Sequence, residues 1–393
     1  MVESPHDGAT ADVVVIGGGP AGSAVALRLA RQNIHVIQLE RRVFLAPAHD
    51  RFRSGEGLLP RTCRALAALG VASCASSWAL SQIQQVCMCW PDGAWTANSI
   101  ARHGGIVQID RERFDHALFC AARAAGVDGR EGWQARRLAR DASGSITGVL
   151  VQPPDGQPLQ FLRAPIVVDA GGRNALALRE LKLRVPAADG DFFAISMFFD
   201  QVVDLPADVW EMHLFNPQQL AIIQMSQLCA GVVRCALGTA SQFKRAAHCS
   251  SQAFFWRCIE QTPELARRLV GSHIVGRPFI RASIGYQVRQ VAFDGLLLVG
   301  DAAGYLNPLF GDGILRALIM ANHAASTISA ALRSGGCSRA AFARYALRRA
   351  ALDRVDWIVK CSLLRMHQYP HALTRYGRAR LVRHALMTAL MRS

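Results

Sequence analysis

The chain has 393 residues, 51% of them hydrophobic, and a formal net charge of +15 at pH 7. This length and apolar content exclude disorder as the main state and allow two packed domains. No run reaches the roughly 20 apolar residues of a membrane-spanning helix, and the opening MVESPHDGATAD lacks the basic and apolar regions of a secretory signal. The expectation is a cytoplasmic protein with no transmembrane segment. The positive charge is concentrated after Ala331, where thirteen Lys or Arg accompany two Asp. No zinc-finger spacing or aromatic RNA-binding motif goes with it, so nucleic acid is not the expected partner. A solvated helical face, an acidic partner and a membrane surface remain open for that segment. The eleven cysteines form no C-x-x-C pair, and buried thiols are expected in place of a metal centre.

In chain order, the first informative stretch is Val13 to Gly22, VVVIGGGPAG. Four apolar residues read as a buried strand, and Gly17, Gly19 and Gly22 follow at the G-x-G-x-x-G spacing where the strand must give way to a helix. The first glycine permits a sharp turn, the second lets a pyrophosphate approach the backbone, and the third lets helix and strand pack closely. Gly17, Gly19, Pro20, Ala21 and Gly22 are therefore candidate dinucleotide-binding residues, with N–H groups and helix dipole facing the phosphates. Ile34 to Leu39 reads as a second strand, and Glu40 stands where a carboxylate can take a ribose hydroxyl pair.

Arg51 to Gly57 reads as a polar loop over the nucleotide crevice, and Leu58 to Leu69 as a helix ending at Gly70. Gln82 to Trp90 and Trp95 to Ile100 alternate like strands, a first excursion into antiparallel sheet. Helix returns between Val107 and Ala125, with Asp110 as its N-cap. Ile146 to Gln152 and Leu159 to Arg163 read as a hairpin, and APIVVDAGGR from Ala164 to Arg173 as a buried strand ending at a ligand crevice or at an ordinary turn. Segments from Asp191 to Leu237 form a second excursion into sheet. There Met197, Phe198, Phe199, Trp210, Phe215 and Met225 line an apolar cavity or pack a core. Phe243 to Val270 reads as helix in two pieces broken at Pro263, and Ile280 to Val288 as a strand.

A second strong motif is LLLVGDAA from Leu296, continuing through Pro308 to Gly311-Asp312-Gly313 and a long helix from Ile314. An aspartate at a strand end, Asp301, can hold ribityl hydroxyls, and glycines opening a helix expose N–H groups to partial negative charge. The fold expected is α/β: a doubly wound, Rossmann-like dinucleotide domain (1–80, 104–180 and 286–330), an inserted antiparallel β-sheet substrate domain (81–103 and 181–285) and a C-terminal helical tail (331–393).

With both ends read, the chain resembles the FAD-dependent oxidoreductases of the p-hydroxybenzoate hydroxylase-like group, which includes aromatic monooxygenases, geranylgeranyl reductases and flavin-dependent halogenases. The resemblance rests on Gly17 to Gly22 with Glu40 and Arg41, on Arg111 in DRERFD, on Asp169 to Arg173, and on Gly300-Asp301 through Pro308, Gly311 and Gly313 to Ile314. RSGEGLLP, containing Arg53, is similar to the halogenase, reductase and cofactor-maturation branches. The resemblance implies FAD, with the ADP moiety at the first glycine motif and the ring near the second. The family's halogenases use a lysine early in the chain, whereas no lysine precedes Lys182 here, and Ala221 to Gln227 carries neither the halogenase nor the reductase segment. The expectation is thus a monooxygenase that hydroxylates an electron-rich, aromatic substrate, small or carrier-tethered, through a flavin C4a-hydroperoxide. A carbon–carbon double-bond reductase and a flavoprotein that matures a larger protein are the alternatives. Ala170 within DAGGR departs from the hydroxylases' D-G turn, which leaves both NAD(P)H and a separate flavin reductase as electron source. No catalytic side chain is assigned; His49, His213 and His323 are candidates by type alone.

Overall fold

The computed structural model describes residues 6–46, 56–90, 93–154, 156–186, 192–214, 221–305 and 311–366. Its centre is a six-stranded sheet in the order Ala292–Phe293, Leu296–Leu298, Ile166–Asp169, Val13–Ile16, Val36–Glu40, Asp128–Glu131. All neighbours run parallel except the Ala292–Phe293 edge. The three innermost apolar strands, IVVD, VVVI and VIQLE, are buried along their whole length, as a sheet covered on both faces requires. The Pro20–Ala30 helix packs with the Arg111–Ala124 and Gly313–Arg333 helices over one face. A four-stranded sheet containing the expected hairpin, Ile146–Gln152 against Gln160–Arg163, covers the other.

The two expected excursions meet in one second sheet. Its order is His273–Ile274, Phe192–Asp200, Val232–Ala240, Ile222–Cys229, Val209–Leu214, Gln85–Cys89, Trp95–Ser99, and Phe279–Ile284 also pairs with Phe192–Asp200. The join is the parallel pairing of Val209–Leu214 with Gln85–Cys89. One face of this sheet is closed: Phe193, Ile195, Met197, Phe199, Ile223 and Met225 are buried against Phe254, Phe255 and Ile259 of the Ser251–Glu260 helix. Met197, Phe199 and Met225 therefore belong to a core, whereas Phe198 and Trp210 lie on the opposite face; Phe215 is outside the described residues.

Two boundaries differ from the sequence reading. Phe243 to Val270 forms three helices, Ser241–Ala246, Ser251–Glu260 and Pro263–Arg268. The additional break lies where His248 adopts φ 46° and Ser250 caps the next helix through Ala253 N–H. The strand expected over 280–288 is divided at Gly285, whose φ is 123°, into Phe279–Ile284 and Tyr286–Val288.

The C-terminal segment begins packed into the core around the six-stranded sheet. Phe342 and Tyr345 are fully buried, and Tyr345 Oη donates to the Leu298 carbonyl at 2.5 Å. The Ala343–Met366 helix is thereby fastened to the end of the strand that leads into Gly300. Among the described residues no helix is long and apolar enough to cross a membrane.

Candidate cofactor and substrate site

The first glycine turn shows which of its glycines the fold itself requires. Gly17 has φ 109°, and a Cβ there would stand 2.5 Å from the Ala170 carbonyl oxygen. On Gly22 a Cβ would stand 2.0 Å from the Gly17 carbonyl oxygen, so helix and strand can approach only without a side chain. A Cβ on Gly19 would meet no protein atom within 4 Å. Gly19 is the N-cap of the Pro20–Ala30 helix, whose first turn has neither a side-chain cap nor an acidic residue. These are the properties of a backbone cradle for a pyrophosphate. Pro20 and Ala21 are buried beneath it.

Glu40 lies at the end of the adjacent strand, where Oε2 accepts the Gly18 N–H at 2.8 Å and Oε1 accepts the Arg42 N–H at 2.9 Å. Arg42 Nε also reaches Oε1 at 3.1 Å, while Arg41 is exposed. From Arg42 a line of alternating charge runs along the cleft. Arg42 Nη2 is 3.9 Å from Asp115, Arg111 Nε is 2.8 Å from the other oxygen of Asp115, and Arg111 Nη1 lies 2.8 and 2.9 Å from the two oxygens of Glu56. Burial works against the Arg111 cation, but Asp115 and Glu56 outweigh it and raise its pKa. Glu56 and Asp301 both feel Arg111, which links the first glycine turn to the second.

At that second turn Gly300 has φ 66°, and its Cβ would lie 2.7 Å from the Cβ of Ala21, so the two motifs touch. Burial pushes the Asp301 carboxyl up to about 6, with Arg111 and Arg173 opposing the shift. Tyr286 Oη donates to the Asp301 carbonyl at 2.5 Å and fixes the turn. Gly311 has φ 63°, and neither Gly311 nor Gly313 would bring a Cβ within 4 Å of another group. Asp312 stands at the N-cap position of the Gly313–Arg333 helix without a side-chain capping bond, the first turn has no acid, and Ile314 is buried beside it. Arg53 and Pro308 fall outside the described residues, as does His49.

Three other expectations resolve differently. Asp169 is fully buried and its carboxylate is spent inside the protein, accepting the Gly171 N–H at 3.0 Å and the Ala177 N–H at 2.7 Å. It closes the DAGGR turn rather than facing a ligand, and burial raises its pKa to about 6. The cations after Ala331 do not all lie on one solvated helical face: Arg344 is exposed, whereas Arg348 and Arg349 are half-buried. Arg348 Nη1 lies 3.0 Å from His323 Nδ1, and Asp353 receives Arg349 at 2.6 Å and Arg316 at 2.5 Å. Arg375, Arg378 and Arg380 lie outside the described residues. His213 is buried on the closed side of the second sheet, 3.6 Å from Glu211 and away from both turns. Glu56 and Arg42 are cleft residues that the sequence reading did not single out, although Arg111 and Asp115 stand at the i, i+4 spacing of a helical ion pair.

The other face of the second sheet packs towards the strand bearing Glu56: Phe198 is fully buried there, and Val86, Met88 and Trp210 join Leu59, Ile83 and Ile106 in a separate apolar cluster. Ser226 Oγ accepts from Gln108 Nε2 at 3.0 Å, and Ser81 Oγ donates to the carbonyls of Gln227 and Leu228. Gln108 pairs across from Gly57, next to Glu56. The roof is thus held against the strand that carries Glu56. Neither Lys182 nor Lys244, the lysines whose side chains are described, joins it. Lys182 sits at φ 50° just after the Leu176–Glu180 helix, and Lys244 Nζ lies over the rings of Phe193 and Phe254 on the closed side.

The comparisons agree with this architecture. A family model described as "FAD binding domain" matches residues 10–354. The chain is 27% identical over 379 residues to a 1H-pyrrole-2-carbonyl-[peptidyl-carrier protein] chlorinase of Pseudomonas fluorescens, covering 87% of this chain and 80% of that one. It is also 27% identical over 339 residues to digeranylgeranylglycerophospholipid reductase 1 of Methanopyrus kandleri, covering 85% and 84%. Among solved structures, the myxobacterial chondrochloren halogenase superposes with a TM-score of 0.76 at 25% identity, over 87% of this chain and 79% of the other. A flavin-dependent brominase shares the fold, with a TM-score of 0.81 at 19% identity over 97% and 93%.

Proposed function

This chain belongs to the FAD-binding-domain family of oxidoreductases that includes flavin-dependent halogenases and geranylgeranyl reductases, and from that premise we propose that it oxidatively substitutes an electron-rich heteroaromatic acyl group carried on a carrier protein. The observation that supports this reading is the convergence of two glycine turns, linked by the Glu40 to Glu56 charge line, beneath the second sheet. Two relatives are named for a halogenation of a pyrrole-2-carbonyl group on a peptidyl carrier protein.

The cleft residues fit FAD. Gly17 to Gly22 would cradle its pyrophosphate, Glu40 its adenosine ribose, Asp301 its ribityl hydroxyls, and the helix opening at Gly313 the polar edge of its ring. FAD supplies, when reduced, the activation of dioxygen that oxidative substitution needs. Everything else is work for the chain. Arg111 neutralises Glu56 and Asp115 so that neither carboxylate repels an electron-rich ring system, and the sheet roof keeps bulk water from it. NAD(P)H or a partner flavin reductase would provide the electrons.

Halogen transfer is the outcome that the relatives' names favour. Oxygen insertion is the second reading, and a specific observation favours it: no lysine precedes Lys182, and Lys244 lies on the closed side of the roof. One assay separates them. Carrier-bound pyrrole-2-carbonyl substrate is incubated with the protein, reduced FAD, labelled dioxygen and bromide, and the product is read by mass. Bromine in the product supports halogen transfer, and one labelled oxygen supports insertion. Unchanged substrate under all conditions, with flavin reoxidised, would contradict the proposal.

A further inference from the structure

The Ala343–Met366 helix holds the second glycine turn with one face and turns a basic face outward. Tyr345, Arg349 and Asp353 recur at i, i+4 and i+8 on the inner side. Tyr345 reaches the Leu298 carbonyl, Gly304 is pressed against the Arg349 side chain, and Asp353 joins Arg349 to Arg316 in the first turn of the Gly313–Arg333 helix. On the opposite side Arg344, Leu347, Ala351 and Arg354 recur at i, i+3, i+7 and i+10, the spacing of one helical stripe, and all four are exposed, Leu347 to 72%. Arg333 and Arg339, just before this helix, are exposed as well. Between residues 331 and 354 the single acid is Asp353, and it is turned inward. Burial, with Arg348 and Arg344, lowers the pKa of the half-buried His323 imidazole, as a local positive field does.

Resting on the proposed function, we propose that the stripe of Arg344, Leu347, Ala351 and Arg354 is the docking surface for an acidic face of the carrier protein that bears the acyl substrate. Arginines around the contact steer an acidic partner and fix its orientation, and their attraction weakens with salt. Leu347, between them, gives the contact an apolar centre. A lipid surface would need a broad apolar face to bury, and Leu347 with Ala351 is too small a one. Docking here seats the carrier on the helix that braces the second turn, so partner and cofactor cleft share one support.

The test uses FAD-loaded protein and two probes, an acidic peptidyl carrier protein without its acyl group and vesicles of anionic phospholipid. The wild type should bind the carrier, with an affinity that falls severalfold from low to physiological salt, and should leave the vesicles unbound. Arg344→Glu combined with Arg354→Glu should weaken carrier binding by about tenfold or more at unchanged flavin content. Arg344→Lys combined with Arg354→Lys should keep most of the binding, because steering needs the charge and not the fork. Leu347→Ser should weaken it by roughly threefold, the loss of one apolar contact. Carrier binding undiminished by the double reversal would overturn the assignment. So would vesicle binding that the double reversal abolishes, which would give the face to a membrane. The mass assay on carrier-bound substrate stands apart from both results, so failure here is distinguishable from failure of the proposed function.

Discussion

The two glycine turns of the cleft look alike in sequence and differ in what holds them. In the first, Gly17 and Gly22 are demanded by the protein's own backbone, and only Gly19 is open. In the second, Gly300 is pressed against Ala21 and Gly304 against the Arg349 side chain, whereas Gly311 and Gly313 are open. The carboxylates below them differ in the same way. Asp169, on the strand beside the first turn, is sealed onto Gly171 and Ala177, whereas Asp301 faces the cleft. A glycine-rich motif is thus a mixture of positions that the protein's own packing demands and positions that it leaves free.

The largest effect should come from Gly22→Ala. Its Cβ would meet a backbone oxygen at 2.0 Å, which no rotamer relieves. We expect a loss of about 3 kcal/mol or more, outweighing the roughly 1 kcal/mol gained in helix propensity. Denaturant unfolding of cofactor-free protein measures it; wild-type stability would mean that the helix shifts freely. Gly19→Val reverses the pattern. Stability should change by less than about 1 kcal/mol, while FAD affinity falls by about two orders of magnitude, because the side chain occupies the phosphate approach. Retained FAD affinity would remove Gly19 from the cradle.

A smaller effect concerns pH. Asp169 is raised to about 6 in the folded chain against roughly 4 when unfolded. The folded state therefore holds more protons between these values, and this group's contribution is most favourable below about 4 and is lost as pH rises through about 6. The decline is about 3 kcal/mol, and Asp169→Asn should flatten it at the cost of one accepted N–H bond. Parallel stability curves for both proteins between pH 4 and 7 would contradict this. The smallest change is Tyr345→Phe. It removes the donor to the Leu298 carbonyl below the second turn and should cost about 1 kcal/mol in thermal unfolding without altering flavin content. A larger loss of flavin than of stability would show that the C-terminal helix shapes the site directly.

The sequence made the first turn, Glu40 and Gly300-Asp301 legible because each depends on local geometry: a strand, a glycine and a carboxylate at fixed spacing. The features it concealed depend on tertiary placement. Arg41 and Arg42 are indistinguishable by type, and only the direction of the chain after the strand sends Arg42 to Glu40. Asp169 turns inward because residues 171–177 fold back over it. Arg348 and Arg349 are claimed by His323, Arg316 and Asp353, a consequence of how two helices pack. For Met197 and Phe198, alternation separates the two faces, but only the Ser251–Glu260 helix shows which face is closed.

The central claim is that one FAD spans both turns, with its adenosine end at Gly19 and Glu40 and its ring end past Asp301. Calorimetric titration of cofactor-free wild type, Gly19→Val and Asp301→Ala with FAD and with ADP-ribose tests it most directly. Gly19→Val should weaken both ligands. Asp301→Ala should weaken FAD by about tenfold, the loss of a charge-assisted acceptor, and leave ADP-ribose unchanged. If Asp301→Ala weakens both ligands equally, or weakens neither, the two turns do not serve opposite ends of one cofactor.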